Sequence, residues 1–162
     1  MQGDIQLSLY EDASDEDIKK TKYILSKFKD MNRVIRDYEN VQVAHGQQEK
    51  YLFYGWITNV VSSIIENVDN LHEKTIAKLL FIEGKRYTYV KEYMAKGYRK
   101  ELHTIQDYAF SVRRREVIRK IANSLKIIGV LENVSLNENN QPVFIIPNCW
   151  VAAASEGGAH LR

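Results

Sequence analysis

One cysteine, Cys149, stands alone among 162 residues. The chain cannot close an internal disulfide, and a lone thiol fits a reducing cytoplasm, where the protein is expected. Only two prolines are present, Pro142 and Pro147, so no ring breaks a helix before residue 142. No apolar run is long enough to span a bilayer, and the acidic N-terminus is the wrong start for a secretory signal. The four histidines, His45, His72, His103 and His160, lack ligand spacing. In particular, His72-Glu73 has no second histidine one turn later, as a zinc helix requires. Gly84 and Gly97 read as helix stops, and no phosphate-cradling Gly-Lys-Ser or Gly-Lys-Thr follows either. Cys149 has no local His or Asn and follows an apolar strand, so it reads as a buried or inert thiol rather than a nucleophile. Acids such as Asp15 and Asp17 are accounted for by helix capping. No catalytic residue, metal site or cofactor is therefore expected, and the chemistry of the chain has to be sought in binding.

What is present is charge, unevenly placed. The formal net charge is only +2. Yet Met1 to Asp17 holds six acids (Asp4, Glu11, Asp12, Asp15, Glu16, Asp17) and no Lys or Arg. Lys85 to Lys126 holds twelve Lys or Arg against four acids (Glu92, Glu101, Asp107, Glu116), an excess of eight positive charges. A basic field concentrated in one segment is the electrostatic footprint of a nucleic-acid-facing surface.

The most informative stretch runs from Phe110 to Pro147. Ser111 can cap a helix, because its hydroxyl can accept from an orphan amide of the first turn. Ile118, Ile121, Ala122, Leu125 and Ile128 follow at helical spacing as one apolar stripe, and Gly129 can supply the left-handed residue that ends it. Arg113 and Lys120 fall on the far side of that stripe, Arg115 and Arg119 flank it, and Arg114 lies in the first turn. Three arginines beside the positive end of a helix dipole are mildly unfavourable unless an anion is near. Phosphate and the two acceptors of guanine are suitable anions for arginine's fork. The bland alternative is a solvated charged face. Beyond Gly129, Val130 to Leu136 reads as a strand, Asn137 to Asn140 as a turn and Val143 to Ile146 as the returning strand. Such a hairpin is a wing in position, but no Lys or Arg lies between Lys126 and Arg162, so its role is expected to be mainly structural.

The N-terminal half reads as helices. Ser14-Asp15-Glu16-Asp17 resembles a capping box with Asp in the Glu position. Ile24, Phe28, Met31, Ile35 and Tyr38 then alternate by four and three, predicting a helix to about residue 40. A turn over 41–48 leads to a second helix from about 47 to 68. It carries Tyr54, Ile57, Val61, Ile64 and Val68 on one stripe, with Phe53, Trp56 and Val60 beside it. That apolar face is broader than one partner helix needs, so it is either a deeply buried core helix or, through Phe53, Trp56, Val60 and Ile64, a homodimer contact. Dimerisation would suit paired half-sites on DNA. Thr75 to Ile82 reads as a short helix, Tyr87 to Gly97 as another, and His103 to Ala109 as a helical turn. Either of the last two could be the supporting helix of a helix-turn-helix. Tyr87, Tyr89, Tyr93 and Tyr98 interleave with Lys85, Arg86, Lys91, Lys96, Arg99 and Lys100. That mixture can bind backbone and sugar, although tyrosines at helical spacing are more often core.

The order of Thr21-Lys22-Tyr23-Ile24-Leu25-Ser26-Lys27-Phe28, a second helix, Ile76-Ala77-Lys78-Leu79-Leu80-Phe81-Ile82-Glu83-Gly84 and a Ser-led basic helix with Ala122 resembles phage late-gene transcription regulators of the ArpU/RinA type. Their C-terminal region is similar to the promoter-reading helix-turn-helix of sigma factors. The resemblance covers about 18–130. It implies a phage activator that binds double-stranded DNA upstream of a promoter, in the host cytoplasm and in contact with host RNA polymerase. It also implies that Ser111 opens the recognition helix and that Arg113, Arg114, Arg115 and Arg119 face DNA. Arg115 stands where an aromatic is often found, and the hairpin is not a family feature, which leaves a winged-helix lineage open. The expected protein is mainly α: a flexible acidic segment over 1–13, a helical dimerisation region over 14–70, a helix-turn-helix with a short β-hairpin over 71–150, and a flexible tail over 151–162. Its DNA-facing residues would be Ser111, Arg113, Arg114, Arg115, Arg119 and Lys120, with Lys85, Arg86, Arg99 and Lys100. A rival reading is a phage accessory protein that binds and inhibits a host nucleic-acid enzyme.

Overall fold

Mutual capping starts the first helix. In the computed structural model, which describes residues 12–41, 48–96 and 107–147, the Ser14 amide donates to Asp17 Oδ2 at 2.9 Å and the Asp17 amide donates to Ser14 Oγ at 3.1 Å. Two orphan amides are thereby satisfied reciprocally, and helix α1 (Asp15–Val41) follows. Helices α2 (Gln48–Glu66), α3 (Leu71–Ala77), α4 (Tyr87–Ala95) and α5 (Asp107–Ile128) complete the helical part, with a two-stranded antiparallel sheet of β1 (Val134–Leu136) and β2 (Pro142–Phe144) after it. The protein is mainly α with a C-terminal β-hairpin, as expected.

Several boundaries differ from those the periodicity predicts, each for a local reason. Helix α3 begins four residues before Thr75, because Asn70 caps it: its Oδ1 accepts from the Glu73 amide at 3.0 Å. The helix then widens into a π-helical turn, Lys78–Ile82, closed by Gly84 at φ +66°. Helix α5 begins at Asp107, so residues 107–109 of the expected helical turn before Ser111 are part of it, while 103–106 lie outside the described residues. The stretch 130–133 is a 3-10 turn rather than strand. Gly129 adopts φ +87°, and Asn133 Nδ2 reaches back to the Gly129 and Val130 carbonyls at 3.5 and 3.2 Å. The hairpin pairs Val134 with Phe144 and Leu136 with Pro142. Asn137 Oδ1 fixes its turn by accepting from the amides of Asn139 and Gln141.

One core joins both halves of the chain. Ile24, Phe28 and Met31 of α1 meet Phe53, Ile57, Val61 and Ile65 of α2, Val117, Ile118, Ile121 and Leu125 of α5, and Val130, Leu131 and Val134 beyond it. The buried face of α2 is therefore turned toward Phe53 and Ile65, while Val60, Ile64 and Val68 pack only at its margin. The hairpin belongs to this core as well. Phe144 sits edge-on to Phe53, with ring centroids 5.7 Å apart, and against Tyr23 at 5.0 Å. A smaller cluster of Ile76, Val90, Met94 and Phe110 ties α3 and α4 to the start of α5. Helix α5 is thus the central element. Each apolar side chain of this size that it buries contributes roughly 1.5–3 kcal/mol, and its exposed surface is confined to the strips between its neighbours.

Candidate nucleic-acid interface

The basic run on α5 divides between two neighbours. Ser111 lies in the second turn of the helix and does not cap it, which corrects the expectation of three arginines at a capped N-terminus. Its hydroxyl is instead 3.4 Å from the Tyr87 hydroxyl on α4. On the α3 side stands Glu73, only 1% exposed. Lys120 Nζ donates to Glu73 Oε2 at 2.6 Å, and Arg113 NH1 lies 3.7 Å from Oε1. A buried carboxylate is costly without partners, so these two cations neutralise the interior of the protein. Both remain 44–45% exposed at the side chain, but their charge is already opposed.

On the α1 side the cations converge without such a carboxylate. One depression of 370 Å³ between α1 and α5 is lined by Lys22, Arg115 and Arg119 over Ile18, Val112 and Ile118, with Glu116 as its acid. A second, of 390 Å³, shares Lys22 and Ile118 with it and continues over Ser26, Lys29, Gly84, Tyr87 and Arg114 above Leu25, Leu80 and Phe81. Lys22, Lys29 and Arg115 are exposed and have no ion pair among the described residues. Arg119 NH2 is 2.9 Å from Glu116 Oε2 within the same helix. That pair holds the Glu116 carboxyl below and the Arg119 guanidinium above their ordinary values. Exposed pairs at this spacing are weak, so a phosphate can displace Glu116. Helical spacing extends the strip along α1, where Lys22, Ser26, Lys29, Arg33 and Arg36 are all exposed. The α1 contribution was missed in sequence, although the four-three spacing of those residues on the face opposite Ile24 and Phe28 is a legible signal.

The remaining expected residues lie in several places. Lys85 and Arg86 are exposed in the turn after Gly84, and Lys85 Nζ stands 5.6 Å from the centroid of the Tyr89 ring. Arg99, Lys100 and Cys149 are outside the described residues. Phe53 is sealed in the core and unavailable to a second subunit, because α2 turns it toward Phe144. Trp56 is half-buried and packed on the same core. Val60 and Ile64 line a 550 Å³ depression with Val68 and Ile128, next to Ser63, Asn67 and Ser124. Ile128, expected in the core, is 49% exposed there.

Among the described residues no group of three His, Cys, Asp or Glu is placed to hold a metal ion, and no helix is long and apolar enough to cross a membrane. Compared with protein-family models, curated proteins and solved structures, the chain matches none of them.

Proposed function

We propose that the protein is a double-stranded DNA-binding transcription regulator that works by binding alone, in the cytoplasm. The observation that carries this reading is the continuous strip of Lys22, Lys29, Arg114, Arg115 and Arg119 along the α1–α5 junction, with one weakly held acid among its lining residues. Such a strip neutralises backbone phosphates, and release of counterions supplies the affinity. Arg115 and Arg119 stand on the outer strip of α5 and are the candidates for base edges. In the setting that the ArpU/RinA resemblance supplies, the protein activates a phage operon in contact with host RNA polymerase. Two copies would meet through Val60, Ile64 and Ile128. Residues 51–65 of α2 contain no charged side chain, and the depression's lining adds one charge of each sign, Asp69 and Lys120, so a two-fold contact centred on Val60 and Ile64 brings few like charges together.

The test is fluorescence anisotropy of a labelled duplex at rising salt, with selection of bound fragments from random DNA. Log affinity should fall steeply with log salt, by roughly 0.9 for each phosphate contacted, and selection should enrich a defined site. Light scattering of Ile64→Glu should show a monomer where the native protein is a dimer. No duplex binding at low salt would overturn the reading. The enclosed position of α5, packed against α1, α2, α3 and α4, favours a second one: a phage accessory protein that docks its basic strip on a host nucleic-acid enzyme and inhibits it. Stable copurification with such an enzyme, without DNA, would select that alternative.

A further inference from the structure

Tyrosines at helical spacing are ordinarily core, yet Tyr87 and Tyr89 at the start of α4 are 40% and 48% exposed. The Tyr87 ring is held rather than loose. It stands edge-on to Phe110, with centroids 5.2 Å apart, and the Arg114 guanidinium lies 5.4 Å from its centroid. Arg114 Nε is buried and has no hydrogen-bond partner among the described residues. Across the depression, Lys29 lies over Gly84, where an added Cβ would come within 3.3 Å of Lys29 Cδ. The positive φ of Gly84 and its bare Cα thus let the lysine stem cross the turn. The result is a 390 Å³ pocket with an apolar floor of Leu25, Leu80, Phe81 and Ile118, an aromatic wall and three cations, Lys22, Lys29 and Arg114, at its edge.

A smooth duplex backbone needs the cations but has no use for an apolar floor or an exposed ring. Both are what an unstacked base requires, since base–aromatic stacking combined with a positive groove is how single strands are held. We infer that this pocket takes one unpaired nucleotide of a nucleic-acid strand, its base against Tyr87 and the apolar floor and its phosphates on Lys22, Lys29 and Arg114. The inference rests on the nucleic-acid reading above and narrows its ligand to strands with an unpaired position. Lys85 against the Tyr89 ring, and Tyr89 stacked on Tyr93 at 6.0 Å, extend the aromatic and basic surface along the neighbouring turn and α4.

The experiment compares a labelled single strand of about 16 nucleotides, the upper site size of such grooves, with the corresponding duplex, using the full chain and three variants. Tyr87→Ala should weaken single-strand binding by roughly tenfold or more, the worth of one base stack, and leave duplex binding within twofold, about the resolution of the comparison. Tyr87→Phe keeps the ring and should bind as the native protein does. Tyr87→Leu keeps apolar packing on Phe110 without an aromatic face, so it should show the same selective single-strand loss even where Tyr87→Ala folds poorly. Equal losses for single strand and duplex, or no loss in Tyr87→Leu, would overturn the pocket while leaving the native protein's duplex binding as the reading of the strip. Failure of the native protein to bind either probe would remove the nucleic-acid reading itself.

Discussion

Arg113 and Lys120 differ from Arg115 and Arg119 in one respect that decides their roles. All four stand on the same helix within two turns, and all four are exposed. The first pair faces α3, where Glu73 waits in the interior, and is held at 3.7 and 2.6 Å from its two oxygens. The second pair faces α1, where the lining of the shared depression holds another cation, Lys22, and one acid, Glu116 of α5 itself, with Asp12 acting on Arg119 only from further off. Exposure alone would rank these residues together. The difference is the environment across the helix: charge opposed by a buried carboxylate serves folding, whereas charge set beside more charge of its own sign costs stability and is relieved by an anionic partner.

Removing one cation from each side should separate these roles. Lys120→Met leaves Glu73 buried with only the longer Arg113 contact. Unfolding free energy should fall by about 3 kcal/mol, the cost of stranding one partner of a buried pair, as read from urea midpoints. Its affinity for nucleic acid should change by less than about twofold. Arg115→Glu combined with Arg119→Glu should do the reverse. Losing two phosphate contacts weakens binding by about fiftyfold at 0.1 M salt and reduces the slope of log affinity against log salt by about 2, with the urea midpoint nearly unmoved. Equal stability losses in the two variants would break the distinction. Glu73→Gln comes next in size. It exchanges a charge-assisted bond for a neutral one but strands only cations that water can reach, so about 1.5 kcal/mol is expected. A loss as large as that of Lys120→Met would mean that the two cations, rather than the carboxylate, are the groups that burial penalises.

Much of the fold was legible because local signals agreed with the tertiary outcome. The Ser14–Asp17 box, the seam of Ile24, Phe28 and Met31, the left-handed Gly129 and the Asn137–Asn140 turn all act within a few residues of themselves. The candidate site was legible only in part. Its basic character was written in 113–120, but the assignment of each cation depended on Glu73, 40 to 47 positions earlier in the chain. The sequence gives no sign that this residue of α3 ends up buried rather than solvated. Ser111 misled for a related reason: a good cap residue is also tolerated inside a helix when the start lies upstream. Phe53 and Ile128 exchanged their expected places because a broad apolar face does not reveal which edge of it the hairpin will cover.

The smallest expected effect concerns the N-terminal start of α1, which touches α5 just beyond the basic strip. Burial opposes ionisation of Asp17, but the Ser14 amide and hydroxyl and the Lys126 ammonium, 3.3 Å away, outweigh it and hold the carboxyl below its ordinary value. A carboxylate with a lowered native pKa contributes stability that is fully present above its unfolded value and lost as pH falls through the native one. Asp17→Asn should therefore lower stability by about 0.3–1 kcal/mol near neutral pH, as loss of a negative charge at a helix N-terminus does. Its stability curve should meet that of the native protein as pH falls from about 5 to 2. Absence of a gap near neutral pH would show that the side-chain oxygen, which asparagine keeps, rather than its charge, holds Ser14 and the neighbouring Ala13, whose amide donates to Asn123 of α5 at 2.7 Å. Because Asp12 also stands near Arg119, loosening this segment moves a negative charge away from the strip. Affinity for nucleic acid in Asp17→Asn should consequently rise slightly at low salt, and the rise should vanish once screening shortens the reach of Asp12 to a few ångströms.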